Sequence, residues 1–552
     1  MKKVSDIDLG EDRLLTLAAD LVDEHNYIQA LKMLNKNAAL NGNDDESLML
    51  YAEIYDDMGL YEKCVNGWFK YLDEAGFADL SDCYEGLAVS YMNLGNEHYS
   101  AYYYNKLLSE SNEIDPEMRE EILKDFIGEE ENPLKFSYPP ELEDCSEYLS
   151  DGITHMKAGE FDKAVEEFEK VSKGNPKYLT ARNYIAMCKI ISDRCEEAEQ
   201  ECLKMLEKYP DDVQAMTTLA AVKTEAGKKD DAKQLAQKLL KMEINDSESI
   251  YKIATVCCEN NMHEEAFGLF SKLGGEFEYD MNIMYFKAVA AFNCGKYEDC
   301  FDAFDKLCTV YPNAVTAKYY YRLARGMKDS GEIKELSYFY RLPDEVRESS
   351  VKLLAAYMRL SKAAAKKLTE EIDLSECVKW CFDETEGTGS AELRLLAAQV
   401  AVKADLDYIV RNLLLDAFAD DKMKIDVLIS LAERNRFDCF GVVICNVYKR
   451  VSTCALALGR TKRKLFMQAY ARLVAHFSVL NDEYGDEFAE TAELLYDQLA
   501  EEGKLEMLKS VELLTATIYY LSGVTAAGIE GDGIFSFFEV SEKDVKFLAG
   551  EI

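Results

Sequence analysis

One small residue recurs every 34 positions through the middle of the chain. The members of this small-residue ladder are Ala164, Ala198, Ala232, Ala266 and Cys300. A turn ladder lies five residues earlier and consists of Gly159, Asp193, Gly227, Asn261 and Gly295. A fixed period of this length is typical of solenoids, in which identical supersecondary units stack on one another. The period therefore predicts a repeat protein that acts by presenting a surface.

Each repeat is predicted to contain two helices, as the stretch over residues 145–178 illustrates. Tyr148 and Gly152 are four positions apart and so share a face of a first helix. Gly159 permits a tight turn, and Pro176 ends the second helix because proline lacks an amide hydrogen. The second helix is marked by an apolar stripe at spacings of three and four: Phe161, Ala164, Phe168 and Val171. Small residues on both helices would let the two backbones approach closely.

This order of aromatic, small, glycine, alanine, aromatic and proline positions resembles the tetratricopeptide repeat (TPR), a helix–turn–helix unit of 34 residues. The resemblance covers residues 145–313, is looser over 11–109 and ends at about 330. It implies an all-α fold, an α-solenoid in which the first helix of each unit lines a concave inner face. It also implies a protein-binding function.

The repeat phase predicts how the chain is divided. The expected regions are an N-terminal TPR-like block (1–127), a Pro-containing linker (128–144), a central TPR block (145–330) and a C-terminal helical region (331–552). The linker is placed where Pro133, Pro139 and Pro140 favour extended backbone.

The C-terminal region shows helical stripes without TPR phase and is similar to HEAT or armadillo stacks. Stripes are predicted at about 345–370 and at 391–403, 406–418, 422–434, 440–450, 462–480, 485–501 and 504–522. Beyond them, Phe535, Phe537 and Phe538 are expected to pack onto the last helices.

Composition limits the possible partners. The formal net charge is −40, from 63 basic and 103 acidic residues. Such a charge keeps an extended surface soluble, favours a basic partner and makes general nucleic-acid binding unlikely. The 16 cysteines lack metal-site spacing and favour free thiols in a reducing cytoplasm. The sequence shows neither a signal peptide nor a convincing membrane span, so we expect a cytoplasmic protein.

Motifs of catalysis are missing from the sequence. It has no phosphate-binding Gly-x-x-x-x-Gly-Lys loop and no His-Glu-x-x-His pair, and its five histidines are scattered. We therefore predict a protein that is not an enzyme and that needs no cofactor or metal.

Candidate binding residues follow from the positions that line the inner face of TPR stacks. In the N-terminal block these positions are rich in acids, among them Glu53, Asp56, Asp57 and Glu85. In the central block they are apolar and include Leu149, Ile153, Met156, Met187, Ile190, Ile191, Tyr251, Tyr285, Val289 and Phe292. An apolar groove of this kind would bind a peptide or an amphipathic helix of a partner. The alternative is that superhelical curvature, the linker or the C-terminal region buries the stripe within the chain.

One basic segment departs from the acidic average. Residues 439–481 contain no Asp or Glu. The basic patch consists of Lys449, Arg450, Arg460, Lys462, Arg463 and Lys464, on a predicted helix–loop–helix. These residues could face acidic neighbours within the fold, or they could contact nucleic acid or another anionic partner. The sequence thus predicts a non-catalytic scaffold or adaptor, with regulation through this segment as the alternative.

Overall fold

The chain forms two compact bodies of helices. The computed structural model describes residues 11–75, 80–110, 122, 148–170, 178–192, 194–383, 390–434, 439–458, 463–477, 484–525, 529, 531 and 533–550. The terminal body comprises Met1–Glu141, Glu348–Phe382 and Ala391–Ile552. The central body comprises Leu142–Arg347 and Asp383–Ser390. The all-α solenoid class predicted from the sequence is confirmed, with a single β-hairpin among the described residues.

The N-terminal block, which belongs to the terminal body, is built of three helix pairs in its described part. They are α1 (Glu11–Asp23), α2 (Tyr27–Asn41), α3 (Asp45–Asp57), α4 (Tyr61–Glu74), α5 (Ser81–Asn93) and α6 (Glu97–Glu110). The end of the predicted N-terminal block, from residue 111 to 127, and the predicted linker at 128–144 lie outside the described residues, apart from Ile122.

The central body continues the pattern with longer runs of paired helices. They are α7 (Tyr148–Lys157), α8 (Phe161–Glu169), α9 (Tyr178–Ile191), α10 (Cys195–Lys208), α11 (Val213–Glu225), α12 (Lys229–Leu239), α13 (Ser247–Glu259), α14 (His263–Leu273), α15 (Met281–Asn293), α16 (Tyr297–Val310) and α17 (Val315–Ser330). Odd-numbered members are the first helices of the repeats and even-numbered members are the second.

The turn ladder is confirmed by backbone conformation. Gly159, Gly227 and Gly295 have φ values of 77°, 75° and 82°, which glycine adopts without steric cost. Asn261 occupies the same position with φ of 54°, because asparagine tolerates the left-handed region better than most residues. His25, at φ of 57°, does the same in the N-terminal block. These turns therefore reverse the chain in the same way, while Asp193, the remaining member of the ladder, lies outside the described residues.

The small-residue ladder lies at the centre of each helix pair. All five of its members have no exposed surface, and the matching N-terminal residues Ala30, Cys64 and Ser100 are equally buried. Gly152 explains why one helix of the pair needs a small residue. A Cβ atom added there would come within 2.3 Å of the Phe168 ring. The aromatic ring of α8 thus occupies the space in which α7 has no side chain.

A third ladder of 34 residues caps the first helices and was not noticed in the sequence. Asp212, Asp246 and Asp280 precede α11, α13 and α15, and each side chain accepts a hydrogen bond from the backbone amide three residues later. These bonds satisfy amides that the start of a helix leaves unpaired. The capping aspartates therefore fix where each repeat begins.

The C-terminal part of the chain contains helices that lack the TPR phase, together with the hairpin. Its elements are α18 (Asp344–Arg359), α19 (Lys362–Glu371), α20 (Ser375–Asp383), α21 (Ser390–Lys403), α22 (Asp407–Leu414), α23 (Asp421–Glu433), β1 (Cys439–Ile444), β2 (Val447–Ser452), α24 (Lys464–Phe477), α25 (Tyr484–Glu501), α26 (Val511–Ser522), α27 (Gly533–Phe537) and α28 (Glu542–Leu548). Short 3-10 turns cover Thr453–Leu456 and Leu505–Met507. As expected, Phe535 and Phe537 are buried against the last helices.

Two local predictions for this region are wrong. The helix predicted over 440–450 is instead the antiparallel hairpin of β1 and β2, in which Ile444 pairs with Val447. Its two-residue turn places Cys445 and Asn446 at φ values of 48° and 60°, as a tight hairpin turn requires. The single helix predicted over 345–370 is interrupted, because Ser361 ends one helix and caps the next through the amide of Ala364.

The hairpin packs onto the N-terminal block within the terminal body. The buried Asp73 carboxylate, at the end of α4, accepts hydrogen bonds from Tyr448 Oη at 2.8 Å and from Arg411 Nε at 2.7 Å. Gly441 makes room for it, since a Cβ atom there would lie 2.0 Å from the Asp73 oxygen. One carboxylate thus joins α4, α22 and the hairpin.

Replacing Asp73 should loosen this junction. We expect Asp73→Ala to lower the free energy of unfolding of the terminal body by about 2–3 kcal/mol, because a charged acceptor with two partners is removed. Glu74→Ala is the matched control, since Glu74 also contacts Arg411 but lies half-exposed; it should cost less than about 1 kcal/mol. Urea denaturation of the three proteins measures both values, and equal losses would contradict the assignment.

Close approach of α7 and α8 can be tested in the central body. We expect Gly152→Ala to destabilise this body by about 1–3 kcal/mol, because the added methyl overlaps the Phe168 ring. Gly268→Ala, in α14, should instead stabilise it by about 0.5–1 kcal/mol, because the added methyl meets nothing within 4 Å and alanine favours a helix. Thermal unfolding should therefore show midpoints that move in opposite directions. Two shifts of the same sign would refute the explanation.

Candidate binding groove

The first-helix face of the central body is divided into an open part and a filled part. In the open part, Met187 and Ile191 of α9 are 38% and 57% exposed. Ile153 and Met156 of α7 and Ile190 of α9 are half-buried beside them. The side chain of Leu149 lies outside the described residues. Two consecutive first helices therefore carry accessible apolar side chains.

The filled part begins at α13. Tyr251 is half-buried and meets the rings of Phe270 and Phe286 edge-to-face. Tyr285 is only 1% exposed, although its position predicts an accessible groove residue. Phe292 is equally buried and packs edge-to-face on Tyr297. Val289 has no exposed surface. The apolar side chains of α15 are therefore packed into the fold, unlike Met187 and Ile191 of α9.

The cover over Tyr285 is supplied by the chain itself. Residues 332–342, which we call the tyrosine segment, follow the end of α17 without regular secondary structure. The phenol of Tyr285 donates to the backbone oxygen of Ser337 at 2.9 Å, with the oxygen of Phe339 at 3.2 Å. The ring of Tyr340 lies edge-to-face against Tyr285 with centroids 4.9 Å apart. The segment thus lies on the first helices as a bound peptide would.

Side chains of the repeats bind the backbone of the tyrosine segment. The carboxamide of Asn293 donates to the Leu336 oxygen at 3.0 Å and accepts from the Leu336 amide at 2.7 Å. Further along, Tyr320 Oη donates to the oxygen of Arg341 at 2.8 Å. The paired contacts fix the backbone at Leu336, ahead of a bend over residues 338–341 in which the Arg341 amide donates to the Phe339 oxygen at 2.8 Å.

Alternate side chains of the segment face the repeats. Leu336 and Leu342 are buried. Tyr338 stacks on the ring of His263 and shares a hydrogen bond of 2.8 Å with its Nδ1. Tyr340 donates to Asp383 Oδ1 at 2.9 Å. Phe339, between the two tyrosines, points away and is 79% exposed.

Sequence analysis did not single out this segment. Its signal is the alternation of Leu336, Tyr338, Tyr340 and Leu342 between Gly331 and Pro343, which fits an extended chain and not a helix. The alternation identifies the conformation but not the surface on which it lies. That surface belongs to helices as far as 75 positions away, as the bond between Tyr338 and His263 shows.

The acidic candidates of the N-terminal block form one cluster on α3 and α5. Glu53 and Asp57 are exposed, while Asp56 and Glu85 are half-buried. Although Glu53 is exposed, partial desolvation by its neighbours, together with the nearby carboxylates of Asp82 and Asp57, raises its pKa. Burial and Asp57 raise the pKa of Asp56, and burial and Asp82 raise that of Glu85. The carboxylates therefore repel one another, and a cation bound nearby would relieve the repulsion.

The basic patch does not form the predicted helix–loop–helix. Lys449 and Arg450 lie on β2, and Arg463 and Lys464 lie at the start of α24. Arg460 and Lys462 are outside the described residues.

Several cations of this segment meet acids of the terminal body. Lys464 Nζ lies 3.4 Å from a Glu433 oxygen, and Arg463 bonds to the backbone oxygen of Leu505 near Glu506. Further along α24, Arg472 contacts Asp426 and Glu512 at 3.2 and 2.9 Å. These contacts favour the interpretation in which the basic segment faces acidic neighbours within the fold.

The thiols are placed as packing groups. Burial raises the pKa values of Cys64, Cys257 and Cys300 to about 12 each, so these thiols stay protonated at neutral pH. Across the described ranges, no three side chains of His, Cys, Asp or Glu converge in a way that could hold a metal ion. None of the helices in the described part of the chain combines the length and the apolar character needed to cross a lipid bilayer.

Comparisons with known proteins support the repeat assignment. Residues 155–222 match the family described as tetratricopeptide repeat. The central block carries tetratricopeptide repeats. Residues 225–307 match the repeats of the family described as anaphase-promoting complex, cyclosome, subunit 3. No curated protein matches the sequence.

Solved structures with a similar fold include three helical-repeat proteins. Yeast Tom70 is 14% identical over 90% of this chain and 98% of its own, with a TM-score of 0.27. A tetratricopeptide repeat protein from Parabacteroides merdae is 17% identical over 51% of this chain and 98% of its own, with a TM-score of 0.23. The Naa15/Naa10 complex bound to HypK supplies a match with 14% identity, which covers 95% of this chain and 70% of that chain, with a TM-score of 0.26.

Repulsion within the acidic cluster makes a prediction about pH. Because the pKa of Glu53 is raised on folding, its carboxylate destabilises the fold above that pKa and ceases to do so as the pH falls below the ordinary carboxyl range. We expect Glu53→Gln to raise the free energy of unfolding at pH 7 by less than about 1 kcal/mol, because solvent screens the repulsion. At pH 3 the substitution should have no effect. Thermal unfolding at both pH values tests this, with Glu24→Gln at an exposed turn as control. A gain at pH 3 as large as that at pH 7 would contradict it.

Proposed function

We propose that this protein is a non-catalytic scaffold that binds a segment of a partner protein on the first-helix face of its central body. The proposal is supported chiefly by Met187 and Ile191, which are exposed apolar side chains on the face that TPR stacks use for binding. Ile153, Met156 and Ile190 extend the surface onto two consecutive first helices. A peptide or an amphipathic helix would bury these side chains.

The partner segment is proposed to be basic around its apolar contacts. A net charge of −40 attracts cations at long range and speeds their encounter with the surface. The acidic cluster of Glu53, Asp57 and Glu85 is a separate candidate surface for basic groups on the terminal body, since a cation there would relieve mutual repulsion. A reducing cytoplasm is the proposed location, in keeping with the many protonated, buried thiols.

The alternative, a nucleic acid or another anionic partner at the basic patch, has less support. Arg463 and Lys464 already contact acidic side chains of the terminal body, so new anions would compete with Glu506 and Glu433. The overall negative charge would also repel phosphate.

A double substitution tests the proposed surface. We expect Met187→Asp with Ile191→Asp to lower the amount of specific partners captured from native lysate at least tenfold, because buried charges would oppose apolar contact. Quantitative mass spectrometry measures the captured amounts. The control for each single change is Leu203→Asp, which adds one negative charge at an exposed leucine on the second helix α10. It should retain those partners.

The ionic part of the proposal has its own readout. Partners held by this surface should be released progressively as salt rises from 50 to 500 mM, because screening weakens attraction between exposed charges. If the wild type, the double variant and the control all captured the same set of partners, the assignment of the surface would be refuted.

A further inference from the structure

We propose that the part of the first-helix face now filled by the tyrosine segment is an exchangeable peptide site. It would take, from a partner protein, a non-helical segment with leucine or aromatic side chains at alternate positions. The inference deepens the proposed function, on which it rests, by naming the chemistry of one ligand. It concerns residues separate from Met187 and Ile191, so the two proposals can fail independently.

Binding through the backbone is the first argument. Asn293 bonds to both the amide and the oxygen of Leu336, and Tyr285 and Tyr320 donate to further backbone oxygens. These contacts do not depend on which residue supplies the amide or the oxygen. Any chain that follows the same path, with the bend that residues 338–341 make here, offers the same groups, so the site is not restricted to the segment that fills it.

Specificity comes from the alternate side chains. Leu336 and Leu342 are buried, and the rings of Tyr338 and Tyr340 reach His263 and Tyr285. The intervening Phe339 is exposed and contributes little to the contact. A ligand must therefore carry large apolar or aromatic groups two positions apart, whereas the residues between them are free to vary. A shift by one residue would turn the wrong side chains toward the helices.

The walls of the site are held by contacts that do not need the segment. Tyr285 also meets the rings of Phe304 and Tyr320 edge-to-face, with centroids 6.1 and 5.8 Å apart. Phe304 belongs to the core of α15, α16 and α17, to which the segment itself contributes Leu336. Departure of the segment would therefore uncover a formed surface and would not dismantle a helix pair.

A path for a longer ligand continues beyond the first contact. An open depression of about 500 Å³ is lined by Lys233, Asn261, His263, Asn293 and Cys294, among others. Two of these, His263 and Asn293, also hold the start of the tyrosine segment. A partner segment longer than the tyrosine segment could therefore extend into the depression and gain contacts that the tyrosine segment lacks.

Peptide binding to full-length protein tests the proposal. The probe is a fluorescein-labelled peptide with the sequence from Glu332 to Pro343. The receptor is a variant with Leu336→Gly, Tyr338→Gly and Tyr340→Gly, in which the internal segment has lost its groups for the site. We expect saturable binding by fluorescence anisotropy, with at least tenfold weaker binding to the wild type, where the internal segment competes.

Two controls define the site. A peptide of the same composition, with its leucines and tyrosines moved by one position, should bind at least tenfold more weakly. Adding Asn293→Ala to the triple variant should weaken binding of the original peptide by tenfold or more, since two hydrogen bonds are lost. A folded triple variant that does not bind the peptide, or that binds both peptides equally, would overturn the proposal.

A measurement on the wild type guards against a triple variant that fails to fold. Hydrogen exchange should show the amides of residues 332–342 opening at least a hundredfold faster than the most protected amides of α15, because an exchangeable segment opens locally. Equal protection of the two would place the segment in the permanent core and would also overturn the proposal.

Discussion

Each repeat depends on two helices that approach more closely than ordinary side chains allow. Within one pair, the Phe168 ring of α8 occupies the place of a side chain at Gly152 of α7. Between successive pairs, the Trp68 ring of α4 does the same at Gly86 of α5, 2.2 Å from where a Cβ would be. The ring on one helix and the missing side chain on the other fix both the distance and the register of the pair. Because this packing uses few positions per helix, most positions on the outer faces are not constrained by the close approach of the two helices. The fold can therefore remain constant while its binding surfaces differ.

Local rules predicted the repeats because every signal they need lies within one unit. Gly159, Gly227 and Gly295 fixed the turns, and Asn261 could be placed by its phase although it is not glycine. The hairpin escaped prediction for a physical reason. Its run of contiguous apolar residues around Ile444 gives the same short pattern as a buried helix. Whether this run forms a hairpin or a helix depends on a turn with positive φ and on a carboxylate several hundred positions away. The periodicity of apolar residues indicates neither of them.

The candidate groove shows a similar limit. Met187 and Tyr285 both occupy inner-face positions of their repeats, so the sequence predicts the same accessibility for both side chains. In the structure one is 38% exposed and the other only 1%. The difference comes from a segment 50 positions further along, whose alternating leucines and tyrosines match a groove that no local pattern describes. The two explanations weighed for the apolar stripe, a partner site and burial by the chain itself, therefore each have support in a different part of the face.

An internal ligand changes what a scaffold can recognise. A tethered segment is present at an effective concentration of about 1 mM, so a partner must outcompete it and not merely fit. Weak, non-specific apolar peptides are excluded by this competition, whereas a segment that adds contacts in the depression beside His263 and Asn293 is favoured. The internal segment also protects the apolar site from water and from aggregation while no partner is bound. Tyr285 would then be a specificity residue that stays hidden until a sufficiently good ligand replaces the tyrosine segment.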